Sequence, residues 1–281
     1  MKMTDASLKG KVKNLAREHG LSAQEVLQMY LLERLLSRLA ASKYADRVVL
    51  KGGMLIASLC GVARRTTMDM DTTIIGIPME EVSISALVED VCAIDSNDGI
   101  IFSFERLTPI RKEDEYANFR AHIRANFGKI SAPCKIDITT GDVITPAAIR
   151  YPYQPIFDDE TIGVLSYPPE TIIAEKFETL IRRGEENSRA RDFYDTTLLL
   201  GLYRDKVDWS TVRGAIMNTA KKRGSAGMMP QYREVLDGIR FSEYIISTVW
   251  EPYAKANPFI GEMLLGETID AATAIGELSN L

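Results

Sequence analysis

Five places along the chain carry groups able to do chemistry. Lys51-Gly52-Gly53 is the first. Glycines let a ligand approach the backbone, and the N–H groups that open a following helix make an anion site. Alone, a Gly-Gly pair is more often just a tight turn. Asp69-Met70-Asp71 is the second. On a strand, residues two apart share a face, so both carboxylates project together while Met70 packs behind. Like charges this close repel unless a cation lies between them. Hard oxygen donors of this kind suit Mg²⁺, which takes one or two carboxylates plus substrate phosphates; for an isolated pair, a solvated strand end is the better reading. Asp137 is the third, on the polar side of the alternating run Lys135-Ile136-Asp137-Ile138-Thr139. Aspartate is disfavoured in strands. It is either a third carboxylate that would complete a two-metal site for in-line phosphoryl or nucleotidyl transfer, or an edge residue opening the Thr139–Asp142 turn.

Lys176 is the fourth. Ile172, Ile173, Phe177, Leu180 and Ile181 define the apolar arc of its helix, and Lys176 falls inside that arc. It either snorkels to water or meets a buried anion such as a triphosphate. The fifth is Arg189-Ala190-Arg191-Asp192-Phe193-Tyr194-Asp195, at the head of a helix that is apolar nearly all round. Aspartates there need partners. Arg189 and Arg191 could supply them in a purely structural cluster, a reading stronger for Asp195 than for Asp192.

Three regions must position these residues. Residues 1–45 read as two helices. The first stops at Gly20, and the second is opened by a Ser22–Glu25 capping box. Residues 46–165 read as mixed α/β, with strands at Val48–Leu50, Met68–Ile75 and Ile100–Phe104 and a short helix at Met54–Leu59. Alternation over Phe119–Phe127 and again over Cys134–Ile138, with Gly128 between, predicts a hairpin. Antiparallel pairing is expected to join these strands. Residues 166–281 read as a helical bundle: Glu170–Arg183, Arg189–Tyr203, Trp209–Lys222, Gln231–Ile239, Ser242–Ala256 and a tail helix after Gly266. The expected organisation is therefore a helix-preceded α+β core over 1–165 and a helical domain over 166–281.

Composition bounds what this assembly can be. With 281 residues, 46% apolar and 26% charged, the chain can bury a full core and is not disordered in the main. No apolar run approaches the ~18 residues a bilayer needs. MKMTDASLKGKVKNLAREHG lacks the apolar stretch of a signal peptide, so a cytoplasmic location without membrane partners is expected. A net charge of −5 argues against a broad basic coat for nucleic acid. Arg64, Arg65, Arg182, Arg183 and Lys221-Lys222-Arg223 are the evident local cations. Cys60, Cys92 and Cys134 read as reduced core thiols. With only His19 and His122, a His-rich zinc site or a Ser-His-Asp triad is not expected. The chemistry must come from carboxylates, lysine and arginine.

In combination these features are more specific. Leu50-Lys51-Gly52-Gly53, a short helix, Arg65-Thr66-Thr67-Met68-Asp69-Met70-Asp71 and a later Asp137 follow the layout of a polymerase-β-like nucleotidyltransferase core. The chain more closely resembles the AbiEii/AbiGii toxin family of type IV toxin–antitoxin and abortive-infection systems, over about residues 20–205. The resemblance rests on the helix Glu25–Leu39, Phe104-Glu105 through Ile110-Arg111-Lys112-Glu113-Asp114-Glu115-Tyr116, Lys135 through Asp142, Tyr167-Pro168-Pro169-Glu170 through Lys176, and Arg191-Asp192-Phe193-Tyr194-Asp195.

The resemblance implies that Gly52 and Gly53, with Lys51 and Arg65 beside them, hold nucleotide phosphates. It implies that Asp69, Asp71 and Asp137 hold Mg²⁺, with Mn²⁺ as a substitute, and that Lys176 and Asp192 engage the nucleotide. Two positions depart from the pattern. Gly53 stands where the superfamily usually has serine, and Arg191 stands where a lysine commonly precedes the last aspartate. The implied activity is transfer of a nucleotide from a nucleoside triphosphate to a tRNA 3′ end, with a cognate antitoxin as partner. Nucleotidylation or phosphorylation of a protein, or an inactive nucleotide-binding module, are the alternatives.

Overall fold

The computed structural model describes residues 3–110 and 118–281. Arg111-Lys112-Glu113-Asp114-Glu115-Tyr116, part of the family resemblance, lie outside the described residues. The chain divides into two compact units, Met1–Asp142 with Ile149–Ser166 and Val143–Ala148 with Tyr167–Leu281.

In the first unit, α1 (Asp5–His19) begins at Thr4, whose side chain accepts from the Ser7 amide, and ends at left-handed Gly20. The capping box of Ser22 and Glu25 starts α2 (Ala23–Ala41) as expected. Leu31, Leu32, Leu35 and Leu36 of α2 are fully buried. β1 (Val48–Lys51) runs directly into α3 (Gly52–Cys60), followed by β2 (Met70–Ile74) and α4 (Glu81–Ala93). β3 (Ile101–Ile110), β4 (Asn118–Phe127), β5 (Ile130–Thr140), β6 (Ile149–Tyr153) and β7 (Ile162–Ser166) complete a seven-stranded sheet of order β3-β4-β5-β2-β1-β7-β6. α4, β6 and β7 were not anticipated from the sequence.

The β4–β5 hairpin turns at Gly128-Lys129, with Phe127 opposite Ile130. Pairing is not all antiparallel, which corrects that expectation: β2 lies parallel to β5, and β1 parallel to β7. The long connections through α4 and the hairpin return the chain in the same direction, as parallel neighbours require. Both parallel contacts involve the short central strands, and β1 is buried at all its positions. Its Val-Val-Leu run is the sequence mark of such a strand.

In the second unit, α5 (Pro169–Arg183), α6 (Ala190–Tyr203), α7 (Trp209–Lys222), α8 (Tyr232–Phe241), α9 (Glu251–Ala256) and α10 (Leu265–Leu278) form the helical body. α5 packs on α6 and α7, and α10 on α6 and α8. Pro168-Pro169 opens α5, because proline's missing N–H costs nothing in a helix's first turn. Among the described residues no helix is long and apolar enough to cross a membrane.

Candidate active site

One row of side chains crosses four strands of the sheet. Arg120 of β4 is opposite Asp137 of β5, Asp137 is opposite Asp71 of β2, and Asp71 is opposite Lys51 of β1. The two carboxylates of the row therefore have a cation at each end. Asp69 immediately precedes β2 and sits close enough to raise the pKa of Asp71. Burial is the main cause of that rise, and the Asp69 charge follows; Lys51 opposes it and Asp137 adds to it.

The row meets the glycine turn. The Asp71 carboxylate lies against Gly52, where an added Cβ would stand 2.7 Å from its Cγ, and Gly52 has φ +66°. The Gly53 amide donates to Asp71 Oδ2 at 3.4 Å. At Gly53, a Cβ would fall 2.9 Å from Thr67 Oγ1 and 3.2 Å from Arg65 Nη2. The space a serine would need is thus already filled, which accounts for glycine at this position. Thr67 Oγ1 in turn donates toward Asp69, to its carbonyl at 3.2 Å and its Oδ1 at 3.3 Å.

Not every residue read from the sequence reaches the same place. Lys51 forms an ion pair with Asp142, and Arg65 is buried with its guanidinium on the Thr66 carbonyl. Asp137 is engaged by Arg120 through two hydrogen bonds, Nε to Oδ1 at 2.6 Å and Nη2 to Oδ2 at 2.8 Å. Arg120 Nη2 also lies 3.8 Å from Asp69 Oδ2. Among the described residues no group of three His, Cys, Asp or Glu stands ready to hold a metal ion together. The donor set that fits a hard divalent cation is the Asp69–Asp71 pair. Its oxygens are unshared with a bidentate cation, and Asp69 is 31% exposed.

Lys176, Asp192 and Asp195 form a separate cluster within the second unit. Lys176 Nζ lies 2.7 Å from Asp192 Oδ1 and 2.7 Å from Asp195 Oδ2. The apolar arc delivers Lys176 to a buried anion, and that anion is a pair of carboxylates. Burial disfavours its charge, but the two aspartates outweigh this and raise its pKa. Arg189 Nε sits 2.9 Å from Asp192 Oδ2, near enough to attract it but out of line for a hydrogen bond.

Of the cations picked out in the sequence, Arg65, Arg182 and Arg223 are engaged by acceptors. Arg182 and Arg223 bind the fully buried Glu178, and Arg223 also binds Glu175. Arg64, Lys221 and Lys222 are exposed.

Sequence reading missed a second set. On the same sheet face as Asp137, His122 lies opposite Arg106 of β3 and Lys135 of β5. Burial lowers the His122 pKa, and Arg106, Lys135 and Arg120 lower it further. Its Nε2 is 3.0 Å from Thr108 Oγ1, as fits a sheet residue. Arg120 was also missed, although the hairpin turn contained the signal. Counting outward seven residues each way from the Phe127–Ile130 pair reaches Arg120 and Asp137.

A glycine turn between strand and helix, followed by a strand that sets aspartates beside it and beside a third on a parallel neighbour, defines the nucleotidyltransferase class. Two solved structures from Helicobacter pylori share the fold, one described as a nucleotidyltransferase and the other as JHP933. Each matches with TM-score 0.52 at 17% identity, covering 92% of this chain and 96% and 94% of theirs, respectively. No curated protein sequence matches the chain. The family of the nucleotidyl transferase AbiEii toxin, type IV toxin–antitoxin system, matches residues 34–271, and the chain belongs to it. It is thus a nucleotidyltransferase of a toxin–antitoxin toxin family.

Proposed function

We propose that the protein transfers a nucleotide from a nucleoside triphosphate to the 3′ end of a tRNA, using Mg²⁺ or Mn²⁺ bound at Asp69 and Asp71. The observation that carries this reading is the Asp71 carboxylate lodged against the Gly52-Gly53 turn. A carboxylate suited to a cation and backbone suited to phosphates are side by side, as a cation-bridged triphosphate needs. The ion would supply charge stabilisation for the attacking and leaving oxygens. The start of α3 receives the phosphates. Asp137 orients or deprotonates the incoming hydroxyl once its carboxylate is available. Lys51 and Arg65, which flank the turn in sequence and are buried, position it. For Lys176 and Asp192, their mutual ion pair, shared with Asp195, supports a positioning role within their own unit rather than neutralisation of pyrophosphate.

RNA is favoured by Arg106 and Lys135, the cations on either side of His122 across the strands, which continue the face that carries Asp137. This is a local basic strip of the sort that phosphate contacts need, on a chain of net charge −5. A family antitoxin would be the protein partner.

The test is incubation of the protein with total tRNA, Mg²⁺ and each α-labelled nucleoside triphosphate in turn, beside Asp69→Ala. Label on tRNA from one or two of the nucleotides, lost in Asp69→Ala, is the expected result and names the donor. Absence of label on tRNA with all four, while a protein in lysate becomes labelled, would replace the RNA acceptor with a protein hydroxyl.

A further inference from the structure

Asp137 is the one carboxylate of the row whose two oxygens are both taken by a cation belonging to the protein. Arg120 grips it with a parallel pair of hydrogen bonds, the geometry that gives guanidinium–carboxylate pairs their strength and direction. The same guanidinium reaches toward Asp69. It is therefore positive charge held between two members of the acidic trio. The pairing is enforced by register, since Arg120 and Asp137 are direct partners across β4 and β5. It is also within reach of solvent, with Arg120 31% and Asp137 14% exposed, so the pair is free to exchange.

Resting on the reading that Asp69 and Asp71 hold the divalent ion, we propose that Arg120 is a built-in counter-ion that competes with the metal for Asp137. In the resting protein the cation site consists of Asp69 and Asp71 alone, and Asp137 is kept away from it by the guanidinium. Asp137 joins the site only when Arg120 lets go. The exchange costs little net charge, because one cation replaces another beside the same carboxylate. Arg120 is thus a positioning residue that sets how many carboxylates the ion meets before substrate arrives.

The proposal is tested by titrating Mn²⁺ into the nucleotide-free protein, following the fall in the free-ion electron paramagnetic resonance signal, with thermal melting in parallel. Wild type should bind Mn²⁺ through Asp71, so that Asp71→Asn abolishes the binding. Arg120→Gln should bind Mn²⁺ about tenfold more tightly, because a full carboxylate charge is released toward the ion. It should also gain more in melting temperature from saturating Mn²⁺ than wild type does. Arg120→Lys, which keeps the charge but loses the fork, should fall between the two and guards against a fold defect in the glutamine variant. A residue with a purely structural role would not tighten metal binding when removed. Unchanged or weaker Mn²⁺ binding in both Arg120 variants, with Asp71-dependent binding intact in wild type, would overturn the counter-ion role alone. Mn²⁺ binding that survives Asp71→Asn unchanged would overturn the reading of the metal site, and the counter-ion role with it.

Discussion

The two units each gather aspartates around a base, with opposite results. In the helical unit Lys176 is clamped between Asp192 and Asp195, which are 2% and 0% exposed. In the sheet unit Asp69 is 31% and Asp137 14% exposed, and only Asp137 has a bidentate partner. Burying charges is tolerable only where each is matched, so the helical cluster is built to be left alone. The sheet cluster keeps an excess of negative charge near solvent, which is a poor way to stabilise a fold and a good way to recruit a cation. Similar residue types thus serve cohesion in one place and binding in the other, and exposure separates the two.

The sharpest test of the contrast is Lys176→Met. It strands two buried carboxylates and should cost the helical unit about 3–5 kcal/mol, read as a drop in urea midpoint. Asp69→Ala should leave that midpoint nearly untouched while removing transfer. Equal destabilisation by the two substitutions would mean that both clusters serve cohesion.

Next in size is a pH effect confined to the sheet unit, at a carboxylate with no matched cation. Glu33 of α2 is fully buried, accepts from the Ile156 amide and the Tyr153 hydroxyl, and is pushed up to about 8 by its burial. A carboxyl raised this way stabilises the fold below its unfolded pKa. The benefit is lost as pH rises through the folded value. Stability should fall by on the order of 3 kcal/mol between about pH 5 and about pH 8, and Glu33→Gln should flatten the profile. The Lys176 cluster should respond only at more alkaline pH, because a raised lysine pKa contributes stability that is present below the ordinary lysine value and lost above it.

Gly52→Ala comes third. Positive φ alone costs about 1–3 kcal/mol, and the new methyl would collide with the Asp71 carboxylate. Nucleotide and Mn²⁺ binding should both weaken, which isothermal titration would report. The smallest effect carries the opposite sign. Asp71→Asn removes a carboxylate whose ionised form is disfavoured by burial and by Asp69, so the metal-free protein should melt slightly higher at neutral pH. A clear drop in melting temperature would mean that Asp71 is structural.

How much of this was legible in the sequence depended on the range of the interaction. The capping box at Ser22, the glycine turn and the β4–β5 alternation are set by neighbours a few residues apart, and all three appear as read. The Asp71–Asp137 juxtaposition is set by a parallel contact between segments more than sixty residues apart, which periodicity does not encode. Lys51 and Arg65 have the right types for phosphate binding, and what their spacing could not show is that both are buried, on Asp142 and on the Thr66 carbonyl. Burial of a charged side chain is decided by what packs over it, not by its own spacing. Arg223 is the same lesson in reverse: part of a basic run, it is consumed by Glu175 and Glu178.

The six residues Val143–Ala148 belong to the helical unit although they lie between two strands of the other. Thr145 is tied there, its amide to Thr171 Oγ1 at 2.8 Å and its hydroxyl to Asn218 Nδ2 at 3.1 Å. Neither unit is therefore a continuous stretch of gene. A recombination event that swapped everything after the last strand would leave this short segment behind, severed from the helices that hold it. Such a chain can acquire new specificity residue by residue, but it cannot readily trade one half for another, and its two halves are bound to evolve as a single inheritance.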